Sequence, residues 1–394
     1  MPELSAWVSR FGCLHRPGSL RDVKLRLLGL AAFLSLTPSA LAAGPSVQAR
    51  AYLVADGRDG HVLAAEASRQ KLPIASITKL MTVLVALEQT KPTDVVTVSP
   101  LAASIGESSV NLRGGERITV HDLIEASLIQ SANDAAWALA YHVGRGDAGR
   151  FVRVMNIRAR QWGLVDTRFV RPDGLDVFGH VSSARDVTEL ARIAMRKPLI
   201  RSLVDEQTET ISGGRRLHTW NDLLGDFPGL VGVKTGHTQA AGWSQVAAAR
   251  GTGVTVYATL LGGPTRAQRN ADVATLLRYG LQRFRLVQLV RPGSVYAQAE
   301  TPYGLGKVDL VVERPLRYAA RVDQRFVERI VAPTAVDLPV QKGESLGDVR
   351  VFDRGRLVAR APLVASRSVE SPGPLERARW YSGETGRNVW SWVS

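Results

Sequence analysis

The chain has 394 residues, enough for two domains with sizeable cores, and its 45% hydrophobic content is ordinary for a folded protein. The net charge is +14, but 42 of the 50 basic residues are arginines without a basic run interleaved with aromatics, so no nucleic-acid partner is expected. The one cysteine, Cys13, lies in an N-terminal leader described below, so disulfide stapling and thiol catalysis are excluded for the mature chain. Seven histidines without H-x-H or H-E-x-x-H spacing argue against a zinc peptidase; no metal and no cofactor is expected.

At the N-terminus Arg21, Lys24 and Arg26 precede an uncharged run from Leu27 to Leu36, then Pro38 and Ala40-Leu41-Ala42. Basic segment, short apolar segment and Ala-x-Ala site predict a signal peptide over residues 1–42, cleaved after Ala42. The apolar run is too short to cross a bilayer comfortably. The long basic segment contains Pro17-Gly18, which moves the expected start of translation towards Val23. The expectation is export to the periplasm or the outer face of the cytoplasmic membrane. Cys13 falls inside this leader, which holds five basic and two acidic residues, so the mature chain has no cysteine and a charge of about +11. Outside the cytoplasm such a charge favours an anionic wall polymer or lipid surface over nucleic acid. Scattered arginine equally reflects genomic composition, so charge carries no weight for function.

From Gln48 the chain reads as a hairpin, Ala51–Ala55 and His61–Ala64 around Asp56-Gly57-Arg58-Asp59-Gly60. An amphipathic helix starts near Ser76, with Leu80, Val83, Leu84 and Leu87 on one face. Thr119-x-x-Asp122 forms a capping-box pattern opening a second helix, which ends at Ser131; Asn133-Asp134 then caps a third, stopped by Gly144. Asp147 begins a fourth, with Phe151, Val154, Met155 and Trp162 inward. Residues Gly163–Ser183 read as a loop with a Pro172-Asp173-Gly174 turn, followed by a helix over Ala184–Arg196. Gly229–Val233, Trp243–Ala249 and Val254–Leu261 read as neighbouring strands, the first ending at Lys234, and a long helix spans about Pro264–Phe284. An α/β architecture follows, an antiparallel sheet flanked by helices.

After Arg291-Pro292-Gly293 the pattern turns to short alternating strands (Val308–Val312, Arg329–Val331, Val349–Phe352, Leu357–Ala361), predicting a small all-β domain. The expected division is signal peptide 1–42, catalytic domain 43–288, β-rich domain 289–369 and tail 370–394. Gly383 and Gly386 interrupt the tail, and its apolar residues keep no clean helical period, although Trp390 and Trp392 suit a membrane interface.

Three short motifs carry chemistry in order: Ser76-Ile77-Thr78-Lys79, Ser131-Ala132-Asn133 and Lys234-Thr235-Gly236. A serine and a lysine one helical turn apart make an activated nucleophile. A second such pair, Ser68 and Lys71, is followed by Pro73, which disfavours helix there. Alone, Ser76 reads as a helix cap, and Ser131 and Asn133 as a turn and a cap. Lys234 stands out more, because the chain has only eight lysines, and Gly236 permits close approach to its strand. All three motifs in order, each on a suitable element, point to acyl transfer through a serine ester.

The chain resembles the low-molecular-weight penicillin-binding D-alanyl-D-alanine carboxypeptidases over nearly all of its mature length. Pro73–Thr82, Ser131–Ala135, Lys234–Thr238 with Ala241-Gly242, Phe169–Leu175, Ser182–Asp186, Asn221–Leu224 and the β-rich residues 289–368 are each similar to family segments. The resemblance implies the penicillin-binding, serine β-lactamase-like fold and a set of roles. Ser76 is the nucleophile, Lys79 its general base, and Ser131 a proton relay to the leaving D-alanine. Asn133 holds Lys79 and the substrate amide, and backbone N–H groups of Ser76 and His237 form the oxyanion hole. Lys234, Thr235 and Arg269 bind the substrate carboxylate beside Gly236. The implied partners are a peptidoglycan pentapeptide and β-lactam antibiotics as acylating inhibitors. Members often end in an amphipathic membrane-binding helix, which raises peripheral membrane contact through the tail. Trp220 stands where some members carry an arginine.

A β-lactamase, a D,D-endopeptidase and a non-catalytic wall-binding scaffold are the alternatives. Efficient class A β-lactamases activate their deacylating water with a glutamate between the second and third motifs. The loop Gly163–Ser182 has none. A scaffold has no need of Lys79 beside Ser76.

Overall fold

A computed structural model describes residues 44–251 and 253–390. The signal-peptide expectation, Cys13 included, lies outside the described residues, as does Trp392. The chain opens with β1 (Ala51–Asp56) and β2 (Val62–Glu66), the expected hairpin, and a short 3₁₀ turn over Ala75–Thr78 leads into α1 (Lys79–Gln89). Next come β3 (Val95–Thr97), α2 (Pro100–Ala103), β4 (Arg117–Thr119), α3 (Val120–Glu125), α4 (Asn133–Val143), α5 (Ala148–Gln161), α6 (Ala184–Ala194) and α7 (Pro198–Leu203). A small hairpin, β5 (Thr208–Ile211) and β6 (Arg215–His218), precedes the long strands β7 (Leu230–Thr238), β8 (Gly242–Gly251) and β9 (Val254–Gly263), and then α8 (Arg266–Leu281).

The main sheet is antiparallel in the order β2-β1-β9-β8-β7. Alternation along β1 explains the layering. Leu53 and Ala55 pack with the helices α1–α7, while Tyr52 and Val54 face α8 with Val256, Leu276 and Leu277. Helix α1 is not amphipathic in its surroundings: every residue from Lys79 to Ala86 is buried, which makes it the axle of the helical lobe.

The caps at Thr119 and Asp147 form as expected, each side-chain oxygen accepting a backbone N–H of its own first turn. Two expectations fail. Asn133 and Asp134 do not cap α4, whose cap position is Ala132. The Asp134 carboxylate instead accepts the N–H groups of Val110 and Leu112, and the Asn133 side chain turns inward. Lys234 does not end its strand either, because β7 runs on to Thr238 in register with β8.

The C-terminal part contains β10 (Phe284–Val290), β11 (Val295–Glu300), β12 (Lys307–Val311), β13 (Leu316–Arg321), β14 (Phe326–Val331), β15 (Ser345–Asp353) and β16 (Arg356–Ala365). These form a sheet ordered β11-β12-β16-β15-β14 and a two-stranded β10-β13 ribbon over a separate apolar core. The tail forms α9 (Pro374–Trp390), so the two glycines do not stop it from being helical. Trp380 packs edge-on against Tyr303, 5.7 Å between ring centres. Among the described residues no helix is long and apolar enough to cross a membrane.

Arg321 of β13 joins the two parts. It donates to Asp56 at 2.6 Å and Asp59 at 3.0 Å, and Asp56 is completely buried. Arg321→Ala should destabilise the protein by roughly 2 kcal/mol, because Asp56 then keeps only Arg58. Thermal unfolding should register the loss; an unchanged melting temperature would refute the claim.

Candidate active site

The 3₁₀ turn before α1 brings Ser76 to the edge of the helical lobe, beside β7. Its backbone is gripped from both sides. A Cβ on Gly236 would sit 2.8 Å from the Ile74 carbonyl oxygen and 3.2 Å from the Ser76 nitrogen. One on Gly174, at φ +90°, would sit 2.0 Å from the Ala75 oxygen. Only glycine allows this approach, at Gly236 by lack of bulk and at Gly174 by conformation as well.

Lys79 begins α1 one turn after Ser76 and is completely buried. Its Nζ lies 2.8 Å from Ser76 Oγ, 2.7 Å from Asn133 Oδ1 and 2.9 Å from the Asp173 backbone oxygen. The last two partners only accept. A neutral amine can donate to both and present its lone pair to the serine hydroxyl, which donates in return. Burial lowers the Lys79 pKa to about 8, against the pull of Asp173 and with the help of Arg171. The decoy pair has no such setting, since Lys71 is exposed in the turn after β2.

The second motif owes its position to a distortion. Helix α3 widens into a π-helical turn over Ala126–Gln130 and ends at Ser131 in the left-handed region, φ 64°. That aims the Ser131 hydroxyl at Lys234, whose Nζ donates to it at 2.9 Å. Lys234 is buried, and its pKa is lowered well below the usual value by burial first, then by Lys79 and Arg269. Asn133 Nδ2 donates to the Gly106 carbonyl, which fixes the amide with its oxygen on Lys79.

Ser76, Ser131, Thr235, Gly236, His237 and Arg269 line one cleft of about 200 Å³, with Lys79, Asn133 and Lys234 bonded beneath its surface. All nine candidate residues therefore meet. His237 is exposed and stacks on Trp243 at 3.9 Å. Arg269 is 2% exposed, donates to Asp222 at 3.1 Å and has a pKa lowered to about 10 by burial, so it stays charged at neutral pH.

Sequence reasoning missed Ser108, Trp243 and Arg266, which line the same cleft. It also missed the support beneath Lys79. Asp173 is buried, paired with Arg171 at 2.5 and 2.7 Å and with the Trp137 indole N–H at 2.8 Å. Burial pushes its carboxyl up, but the Arg171 hydrogen bond and the Lys79 charge outweigh that and leave its pKa lowered. The turn signal at Pro172-Asp173-Gly174 marked the loop without revealing that its backbone oxygen faces the lysine.

His180 ties this loop to the nucleophile turn. Its Nδ1 accepts the Val170 N–H at 3.1 Å, so Nε2 carries the proton and donates to Thr78 Oγ1 at 2.8 Å. Burial lowers its pKa from 6.5 to about 4. The unfolded chain therefore takes up this proton before the folded one, and stability should fall as pH drops from 6.5 towards 4. His180→Ala should slow acylation roughly ten- to a hundred-fold by loosening the Asp173 carbonyl, and His180→Asn should recover part of it. Stopped-flow acylation by a chromogenic cephalosporin measures both, and wild-type rates in the alanine variant would remove the clamp.

An amine whose pKa burial lowers to about 8, resting on an accessible hydroxyl, suits that hydroxyl to attack on an acyl carbon. The fold and site together define a serine acyl-transfer hydrolase of the penicillin-recognising type. A family model described as D-alanyl-D-alanine carboxypeptidase matches residues 38–265, and one described as the C-terminal domain of penicillin-binding protein 5 matches residues 284–371. The chain belongs to the D-alanyl-D-alanine carboxypeptidase family. Among its relatives, DacF of Bacillus subtilis is 29% identical over 83% of this chain and 87% of its own length. DacD of Escherichia coli is 31% identical over 86% and 91%. The crystal structure of penicillin-binding protein 5 from Haemophilus influenzae superposes with a TM-score of 0.61 at 28% identity, covering 84% of this chain and 99% of that one. Penicillin-binding protein D2 of Listeria monocytogenes, solved with ampicillin bound, gives 0.55 at 30% identity over 60% and 99%.

Proposed function

We propose that the protein removes the terminal D-alanine from peptidoglycan stem pentapeptides through an ester on Ser76. Lys79 takes the hydroxyl proton as Ser76 Oγ bonds to the carbonyl carbon between the last two D-alanines. The backbone N–H groups of Ser76 and His237 hold the oxyanion. Ser131, next to Lys234, relays that proton from Lys79 to the departing amine, which leaves Lys79 neutral and Ser131 a hydroxyl again. Lys234, Thr235 and Arg269 hold the leaving carboxylate. Water then cleaves the ester with Lys79 again as base, returning the serine hydroxyl and a tetrapeptide acid.

The observation that carries this reading is the Lys79 amine on Ser76 Oγ, with both of its other partners restricted to accepting. The test is D-alanine release from a pentapeptide, together with mass spectrometry of the penicillin-treated protein. The expected adduct sits on the Ser76 peptide and persists, in keeping with the lack of a loop glutamate. An adduct elsewhere, or no release, would defeat the assignment.

The two family matches support residues 43–288 as the catalytic unit and 289–369 as a β-rich module following it. The leader pattern supports work on the outer side of the cytoplasmic membrane after cleavage at Ala42. We propose that the 370–394 tail touches the lipid surface; Leu375, 69% exposed on α9, supports this. Removal of residues 371–394 should abolish flotation with anionic vesicles, and unchanged flotation would refute the contact.

A further inference from the structure

The cleft that contains Ser76 is not walled by the three motifs alone. Its outer end is built by Arg266 and Arg269 of α8, with Trp220 and Trp243 as their platforms. The Arg269 guanidinium lies 5.7 Å from the Trp243 ring centre and forms the floor. The Arg266 guanidinium lies 5.4 Å from that of Trp220 and forms the rim, with 40% of its side chain exposed. Trp220 is itself fixed, its indole N–H donating to the Gln130 carbonyl at 3.0 Å.

One carboxylate, Asp222, serves both guanidinium groups. It accepts from Arg266 Nε at 2.8 Å and from Arg266 Nη2, and from Arg269 Nη2 at 3.1 Å. Asn270 Nδ2 adds a further donor at 2.8 Å. Two positive charges thus share one negative charge, with buried Lys234 close enough to Arg269 to be perturbed by it. Arg266 uses one edge of its fork on Asp222 and has Nη1 left, without a hydrogen-bond partner among the described residues. A guanidinium over an indole, oriented by a carboxylate and open on one side, is a preorganised anion receptor.

We propose that Arg266, positioned by Trp220 and Asp222, is a second guanidinium reading the free carboxylate at the leaving-group end of the substrate. The inference rests on the carboxypeptidase reading of the cleft and adds a residue that sets its preference for an unblocked chain terminus. Arg269 reads the anion from the floor, and Arg266 reads it from the rim.

The test compares a pentapeptide with a free terminal carboxylate against the same peptide with a terminal carboxamide, and benzylpenicillin against its methyl ester. In Arg266→Ala, KM for the free acid should rise about ten-fold with kcat within about two-fold, and the acid-over-amide preference should shrink by the same factor. Arg266→Lys should restore part of the preference. Asp222→Asn should keep most of it, because both guanidinium groups remain. An undiminished acid preference in Arg266→Ala overturns the proposal. So does an equal rise in KM for the carboxamide in Arg266→Ala, which would make Arg266 a mere support for its neighbours. Should the wild type release no D-alanine, the peptidase reading is what fails, and the penicillin pair alone decides about Arg266.

Discussion

With Ser76 replaced by alanine, the protein is expected to fold normally, release no D-alanine and take up no penicillin. The hydroxyl is partly exposed at the cleft and makes no capping bond, so its removal leaves the turn intact. The loss should be at least about 10⁴-fold, since Ser76 carries the cleft hydroxyl that rests on Lys79. Ser131 is the nearest rival, but its partner Lys234 also donates to the Thr235 carbonyl. D-alanine release and fluorescent-penicillin labelling of the folded variant check the claim, and residual labelling would transfer the nucleophile's role to Ser131.

Lys79→Ala is the second large effect. Removing a general base lowers the rate by roughly 10³-fold, and the buried site then lacks the amine that also orients Asn133 and the Asp173 loop. The pH profile makes the assignment sharper. Lys79 is active when neutral, and its pKa is lowered to about 8. The kcat/KM for acylation should therefore rise with pH, about ten-fold per unit below 8, and level off above it. Burial, and then Lys79 itself, lowers the Lys234 pKa, so the limb belongs to the pair of lysines. In Lys79→Ala the slow residual reaction should lose that limb, whereas Lys71→Ala should leave both rate and profile unchanged. Retention of the limb without Lys79 would mean that a different group is the base.

Much of this was legible in the sequence because the motifs fall on local structure. Ser76 and Lys79 need only one turn of chain to meet, and Pro73 was enough to disqualify Ser68 and Lys71. The hairpin, the capping threonine at Thr119 and the long α8 followed from short-range patterns as well. What escaped depends on contacts across the fold. The Asp173 oxygen reaches Lys79 from 94 residues away, and Trp220 and Arg266 meet through α8 and a loop. Asn133 and Asp134 looked like caps because the same side chains that cap helices also satisfy buried amines and amides. The tail's helix left no periodic trace in the sequence because its glycines and scattered apolar residues hide it, while Trp380 packs on Tyr303. The short strands β3 to β6 carry too few residues for alternation to register.

The two glycines flanking the Ser76 turn have a bearing on resistance. Any larger residue at position 174 or 236 drives a wedge into the seat of Ser76, where, in the proposed mechanism, cell-wall substrate and antibiotic arrive at the same oxygen. Escape from the drug along that route would disarm the enzyme too, so tolerance has to arise farther along the cleft, where the two ligands differ in shape.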